Sequence, residues 1–262
     1  MDPKRISTCT FALRERPWRE AIAVIAATPF RKVDLLGRHP HLSLDPTECD
    51  PEAIAREAER LGLSIANLGT YCGRAFADDD PVVRRRELEG MKRAIDIAVR
   101  LGSRSIRVAP GQDDVATLDD LVPWFIESAA YAAPRGIRLG FETHGGGISG
   151  DAERAREICR KVGSPYFGVL YDPCNIHTHG ADYKAALDLF GEHIMHVHYK
   201  DATLSGLKPE LTMLGEGDID FSWVTRQLET SGYEGDYAAE YEMHTETPEA
   251  ALPKWYEAML AI

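Results

Sequence analysis

Short apolar runs alternate with longer amphipathic stretches along the whole chain. Runs at residues 8–13, 32–37, 63–69, 105–111, 139–142, 167–172, 194–199 and 237–241 are brief and closed by glycine or polar residues, which predicts strands. Between them, residues 17–26, 51–62, 82–101, 117–136, 151–163, 182–192, 221–231 and the segment from 247 onward read as helices. Their starts carry the expected chemistry. Asp50-Pro51-Glu52 places an N-cap aspartate before a first-turn proline, and Thr117-Leu118-Asp119-Asp120 supplies a capping threonine. Eight strand-then-helix units in 262 residues predict an α/β chain folded as a closed (β/α)₈ TIM barrel. A doubly wound sheet would call for a glycine-rich fingerprint after the first strand. The turn there reads Leu13-Arg14-Glu15-Arg16-Pro17 instead. No shift in composition or linker divides the chain, so residues 1–262 are expected to form a single domain.

Charge and cysteine content narrow the function. The formal net charge of −12 disfavours a nucleic-acid backbone, which is bound through a basic footprint. Cys9, Cys49, Cys72, Cys159 and Cys174 are odd in number and widely spaced, with no CxxC, and read as reduced thiols. The amino terminus lacks the apolar core of a signal peptide, and no run approaches the length of a membrane span. A cytoplasmic protein acting on a small molecule is the expectation, with neither nucleic acid nor membrane as partner.

The candidate chemistry sits at strand ends. Leu139-Gly140-Phe141 runs into Glu142, then Thr143-His144 and the glycines Gly145, Gly146 and Gly147. A carboxylate at the end of a buried strand is unfavourable without a donor, a cation or a metal. The glycines read as room for backbone and a small ligand to approach. The next three strands end at Asp172, His198 and Glu240. Each has an ordinary explanation alone: a salt bridge for a glutamate, a turn start for Asp172-Pro173, a hydrogen-bonded core histidine for His196 or His198. Four successive strands ending this way is harder to explain so, because catalytic residues of such barrels gather at this end. Three converging carboxylates repel one another without a cation. With a histidine they form an O/N donor set suited to Mn²⁺, Mg²⁺, Co²⁺ or Zn²⁺.

The stretches Phe141-Glu142-Thr143-His144-Gly145-Gly146, Tyr171-Asp172-Pro173-Cys174-Asn175, His196-Val197-His198-Tyr199-Lys200-Asp201 and Leu214-Gly215-Glu216-Gly217-Asp218, with Glu240, resemble the xylose isomerase-like TIM barrel superfamily. This is the sugar phosphate isomerase/epimerase group that includes ketose 3-epimerases, hydroxypyruvate isomerases and inosose dehydratases. The resemblance implies one divalent metal, Mn²⁺ first, held by Glu142, Asp172, His198 and Glu240. It also implies that Glu142 and Glu240 serve as the acid and base, that the substrate is a small carbohydrate, and that the chain associates with copies of itself. Asn175 stands where the 3-epimerases typically carry a histidine.

The residues permit a coherent reaction. Deprotonation beside a carbonyl gives an enediolate that a divalent cation stabilises. Return of the proton to the opposite face is epimerisation, and return to the neighbouring carbon is isomerisation. Loss of a hydroxyl instead makes the enzyme a keto-sugar or keto-inositol dehydratase. A non-catalytic metal- and sugar-binding barrel is a third reading. An endonuclease IV type of DNA repair enzyme is disfavoured by the charge and by early strands without terminal histidines. His144, Asn175, His177, Lys200 and Arg107 are the candidates for substrate contact. Lys200 has a salt bridge to Asp201 or another acid as its alternative, and Glu216 is expected to be structural.

Overall fold

The computed structural model describes residues 1–262 apart from positions 46, 112–115, 205 and 207. Ten strands are β1 Ile6–Cys9, β2 Lys32–Leu36, β3 Ser64–Gly69, β4 Ser105–Val108, β5 Arg138–Glu142, β6 Phe167–Tyr171, β7 Ile194–Tyr199, β8 Asp201–Thr203, β9 Glu210–Thr212 and β10 Tyr237–Ala239 among the described residues. Eight of them close a parallel barrel in the order β1-β10-β7-β6-β5-β4-β3-β2, and β8 and β9 form a separate antiparallel pair. Outside the barrel run α1 Trp18–Ala26, α2 Pro51–Arg60, α3 Pro81–Leu101, α4 Leu118–Ala132, α5 Ala152–Val162, α6 Pro173–Thr178, α7 Tyr183–Phe190, α8 Phe221–Thr230 and α9 Pro248–Ala261. The TIM barrel read from the alternation is therefore the observed fold.

Capping fixes where the helices start. Asp50, Asp80, Asp151, Asp182 and Asp220 each accept a backbone N–H of the first turn, and Thr117 with Asp120 forms a reciprocal capping box. Strand residues of one parity meet the helices: Val33, Leu35, Leu68, Ile106, Leu139, Phe141, Phe167, Val169, Val197 and Tyr199 are fully buried. The opposite parity is partly polar. Ser7, Asp34, Asn67, Ser105 and His196 are buried too. Asp34 on β2 reaches His196 on β7, strands that are not neighbours in the sheet, so the two meet across the barrel interior. Polar groups there are tolerated because they bond one another, as Ser105 Oγ does in donating to Asn67 Oδ1 at 2.8 Å.

Several boundaries differ from the sequence expectation. The first strand ends at Cys9, and residues 10–13 form a 3₁₀ turn, because the Thr10 hydroxyl accepts the Leu36 N–H while Leu13 turns inward. Asp172 starts a one-and-a-half-turn helix, α6, rather than only a turn. The helix before β7 stops at Phe190, where Gly191 at φ 49° opens a 3₁₀ turn. The loop after Asp201 contains the β8–β9 pair.

Candidate metal centre

Each of the four strand-end residues is delivered by a local device. Glu142 is the last residue of β5, opposite Leu170 of β6. Thr143 locks the next crossing: its hydroxyl accepts from the Asp172 N–H at 2.9 Å. Asp172 is the N-cap of α6, and its Oδ1 accepts the Asn175 N–H at 2.9 Å. Its Oδ2 is left without a hydrogen bond. His198 lies one residue before the end of β7, paired with Ala238 of β10, and Glu240 follows β10 directly, its N–H bonded to Tyr199 O.

Glu142, Asp172, His198 and Glu240 each offer one atom, and these four atoms lie within 4.8 Å of one another. His198 Nδ1 sits 3.5 Å from Glu142 Oε1 and 3.4 Å from Glu240 Oε1. That nitrogen is the second buried atom of the site with no hydrogen-bond partner. Two orphaned polar atoms aimed at a common point, beside two carboxylates, fit a divalent cation bound by oxygen and nitrogen.

Two cations hold the far oxygens of the glutamates. Arg107 Nε donates to Glu142 Oε2 at 2.6 Å, and Lys200 Nζ donates to Glu240 Oε2 at 2.8 Å. Each glutamate is thus tied through Oε2 and turns Oε1 toward His198. Arg107 also donates to Thr70 O and lies under the Tyr71 ring at 4.6 Å. Lys200 is only 6% exposed; its Nζ donates further to Glu242 at 3.0 Å and lies 3.2 Å from Asp172 Oδ2. The contact with Asp172 is an ion pair without hydrogen-bond geometry, consistent with the orphaned oxygen.

These neighbours set the protonation states. Burial opposes ionisation of Glu142, but Arg107, His198 and Lys200 outweigh it and hold the carboxyl well below its usual range. The same contest, won by Lys200 and His198, brings Glu240 down to about 2. Asp172 goes the other way. Burial, with Glu240 and Glu142 nearby, pushes it up to about 7 despite Lys200. Burial disfavours the charged Lys200, yet Asp172, Glu240 and Glu242 hold it well above its ordinary value. Burial likewise works against an imidazolium at His198, but Cys9, Glu240 and Asp34 facing its ring keep it well above the usual range.

The site opens into a cavity of about 320 Å³ lined by Arg107, Glu142, His144, Asn175, His198, Lys200 and Glu240, together with Asp34, Tyr71, Arg74 and Glu242. This is within the scale of small-molecule sites. Asn175 Nδ2 donates to Thr143 O at 3.1 Å and approaches Glu142 Oε1 at 3.4 Å. His144 is exposed at the rim, its Nδ1 accepting the Gly145 N–H. His177 is not among the lining residues; its Nε2 lies 3.5 Å from Asp218 Oδ2. Lys200 does not pair with Asp201, whose carboxylate instead accepts the N–H groups of Ala202, Gly215, Gly217 and Ile219. That tie explains the glycine-flanked loop as an anchored turn. The reading of the glycines after Glu142 also changes. A Cβ on Gly145 would stand 1.8 Å from His179 Cδ2, and Gly146 and Gly147 have φ of 87° and 52°. The first makes way for a histidine ring and the other two for the turn, rather than for substrate.

Two acids of this region were not singled out from sequence. Asp34 could have been found as a lone charge inside the apolar run Lys32–Leu36, where a carboxylate needs a partner. Glu242 could have been found from the alternation Glu240-Tyr241-Glu242, which turns two acids to one side.

A family model described as xylose isomerase-like TIM barrel matches residues 22–261. The chain belongs to the xylose isomerase-like TIM barrel family. An L-ribulose-5-phosphate 3-epimerase, UlaE of Escherichia coli, is 28% identical over 221 residues, covering 80% of this chain and 77% of its own. Among solved structures, the probable 3-DHS dehydratase AsbF from Bacillus anthracis, involved in petrobactin synthesis, superposes with a TM-score of 0.78 at 14% identity, over 98% of both chains. A structure of the IolI protein with a bound zinc atom gives 0.74 at 15% identity, over 98% of this chain and 97% of its own. At such identities the two structures speak for the fold alone. Relatives by sequence are sugar 3-epimerases, and the buried carboxylate–histidine cluster of this chain is a candidate metal site.

Proposed function

We propose that this protein is a divalent-metal-dependent isomerase or epimerase of a small sugar or hydroxyketone. Glu142, Asp172, His198 and Glu240 hold the ion, with Mn²⁺ the proposed occupant. The observation that carries the reading is the pair of orphaned atoms, Asp172 Oδ2 and His198 Nδ1, set beside Glu142 and Glu240 within one 4.8 Å cluster. A bound divalent cation supplies the positive charge that makes a C–H beside a carbonyl acidic enough to lose its proton.

The chain's own groups do the rest. Glu142 and Glu240 are ionised at neutral pH, so either can take the proton from carbon. The glutamate that took the proton is then a carboxylic acid and returns it to the neighbouring carbon, which is isomerisation. Return to the opposite face, which is epimerisation, uses the partner glutamate after it has taken a proton from solvent. Arg107 and Lys200 fix the two glutamates through their Oε2 atoms and keep the carboxylate planes from turning away. His144 and Asn175, at the cavity wall, are placed to bond substrate hydroxyls.

The test is deuterium incorporation. The metal-loaded enzyme is incubated in D₂O with a panel of ketoses and ketose phosphates, the ion is removed, and products are read by proton NMR and mass spectrometry. The expected result is exchange of one carbon-bound hydrogen with no loss of water. Loss of water would replace the reading with a dehydratase. Tight metal and sugar binding with no exchange across the panel would replace it with a non-catalytic barrel.

A further inference from the structure

Behind His198, on the side away from the candidate metal centre, lies a hydrogen-bonded group that the reaction does not use. Asp34 Oδ2 is 3.3 Å from His198 Nε2 and 2.6 Å from His196 Nε2. Its Oδ1 accepts the Ser7 hydroxyl at 2.7 Å. Ser7, Asp34, His196 and His198 are all buried, so each of these bonds is made where little solvent competes for it. The four come from β1, β2 and β7, which brings them together across the barrel.

An ionised carboxylate only accepts hydrogen bonds, and a neutral imidazole carries its proton on one nitrogen. A histidine that bonds Asp34 through Nε2 therefore keeps that proton on Nε2. The other nitrogen of His198, Nδ1, is the orphaned atom facing Glu142 and Glu240. We propose that Asp34 is a positioning residue of the metal centre: seated by Ser7 and His196, it holds the His198 ring with Nε2–H toward itself and Nδ1 toward the cation. The inference rests on the metal reading proposed above. A ligand histidine whose second nitrogen donates to a carboxylate is both oriented and made a stronger donor.

A competing use of the same atoms exists. Cys9, Asp34 and His198 also offer atoms within 4.8 Å of one another, and Cys9 Sγ is 3.7 Å from His198 Nε2. An ion there would have to displace the protons that Asp34 already accepts from three side chains. The hydrogen-bonded arrangement is the one proposed.

The experiment uses the full chain, stripped of metal, with Zn²⁺ as the probe. Affinity is measured by chelator competition for the parent and for Asp34→Asn, Ser7→Ala and Cys9→Ser, with folding checked by circular dichroism. Asparagine can donate to Nε2 and so favours the wrong tautomer. Its expected effect is a loss of about 10–100-fold in Zn²⁺ affinity. Ser7→Ala should lose affinity in the same direction to a smaller extent, and Cys9→Ser should leave it unchanged. Long-range ¹H–¹⁵N spectra of the metal-free parent, recorded at a pH where the ring is neutral, should show His198 protonated at Nε2, and those of Asp34→Asn should show the proton moved to Nδ1. A purely structural role for Asp34 would not move that proton.

A parent that takes up no Zn²⁺ sinks the metal centre and the role of Asp34 with it. A parent that binds, while Asp34→Asn binds equally well, sinks the role of Asp34 alone. Loss of affinity in Cys9→Ser moves the ion to the other side of His198 and overturns the proposal. Should Asp34→Asn fail to fold, the tautomer of the parent and the affinity of Ser7→Ala decide the question, and an Nδ1–H signal or an unchanged affinity refutes it.

Discussion

Lys200→Met is the most informative single change in this protein. The methionine keeps most of the aliphatic stem and removes the ammonium that sits 2.8 Å from Glu240, 3.0 Å from Glu242 and 3.2 Å from Asp172. Three carboxylates then lose their common cation in a site that solvent scarcely enters. Removing one partner of a buried ion pair destabilises by about 3–5 kcal/mol. For a chain of this size, where about 2–4 °C accompanies each kcal/mol, the melting temperature of the metal-free protein should fall by about 6–20 °C.

The loss should also depend on pH in a stated direction. Asp172 is pushed up to about 7 even with Lys200 in place, above its unfolded value of about 4. A carboxyl raised on folding contributes fully below the unfolded pKa and loses that contribution as pH rises through the folded one. Without Lys200 the rise is larger, so the gap between parent and variant should be wide at pH 8 and narrower at pH 6, where the carboxyl takes up a proton. Melts followed by circular dichroism in chelator at both values test this. Equal melting temperatures at pH 8, or a gap that widens on acidification, would refute the ion-pair reasoning.

Other consequences can be checked independently. Glu142→Gln and Glu240→Gln should each lower turnover by at least about 10²–10⁴-fold, the usual span of acid–base catalysis, while retaining the parent circular dichroism spectrum; near-parent turnover would remove the residue from the reaction. Gly145→Ala should destabilise by about 1–3 kcal/mol in denaturant titration, because its Cβ meets the His179 ring at 1.8 Å, and adding His179→Ala should recover most of the loss. Uptake of a divalent cation should release protons near neutrality, since the Asp172 carboxyl at about 7 must ionise, and affinity should fall as pH drops below that value. Calorimetry in buffers of different ionisation enthalpy reads this directly, and an affinity flat from pH 6 to 8 would contradict it.

The barrel was legible because its two periodicities are clean. Runs such as Phe167–Tyr171 are short and wholly buried, and helices such as Pro81–Leu101 begin at a capping aspartate and end at a glycine with φ 71°. Strand ends were legible for the same reason: once the strands are placed, Glu142, Asp172, His198 and Glu240 must come to one mouth. What sequence could not supply is pairing across the interior. Nothing local tells that Asp34 meets His196, residues 162 apart along the chain, or that Lys200 chooses Asp172, Glu240 and Glu242 over its own neighbour Asp201. The choice follows from geometry: Asp201 points back into the loop, where four N–H groups already occupy its oxygens. Gly145 illustrates the same limit. Its neighbour His179 lies in another loop, and only their contact separates a glycine needed for packing from one needed for a ligand.

The charges around the proposed centre give a reason for a divalent ion that is independent of ligand type. Glu142, Asp172, Glu240 and Glu242 surround it, and Arg107 and Lys200 are the cations bonded to them. With all four acids ionised, two negative charges are unmatched, and a doubly charged cation makes the group neutral. Without one, the group relieves itself by keeping a proton. That is the direction in which Asp172 and Glu242 are shifted, both upward and both with burial as the first cause. Asp34 stands outside this count because His196 and Ser7 hold it from the other side. His198 lies between the two groups, one nitrogen turned to each, and its protonation links them. A cation on the Nδ1 side leaves Nε2–H to Asp34. Loss of that cation lets the ring take a second proton, toward Glu142 and Glu240. The carboxylate behind the histidine and the carboxylates in front of it are therefore parts of one electrostatic unit, and a change to either should be felt in how firmly the ion is held.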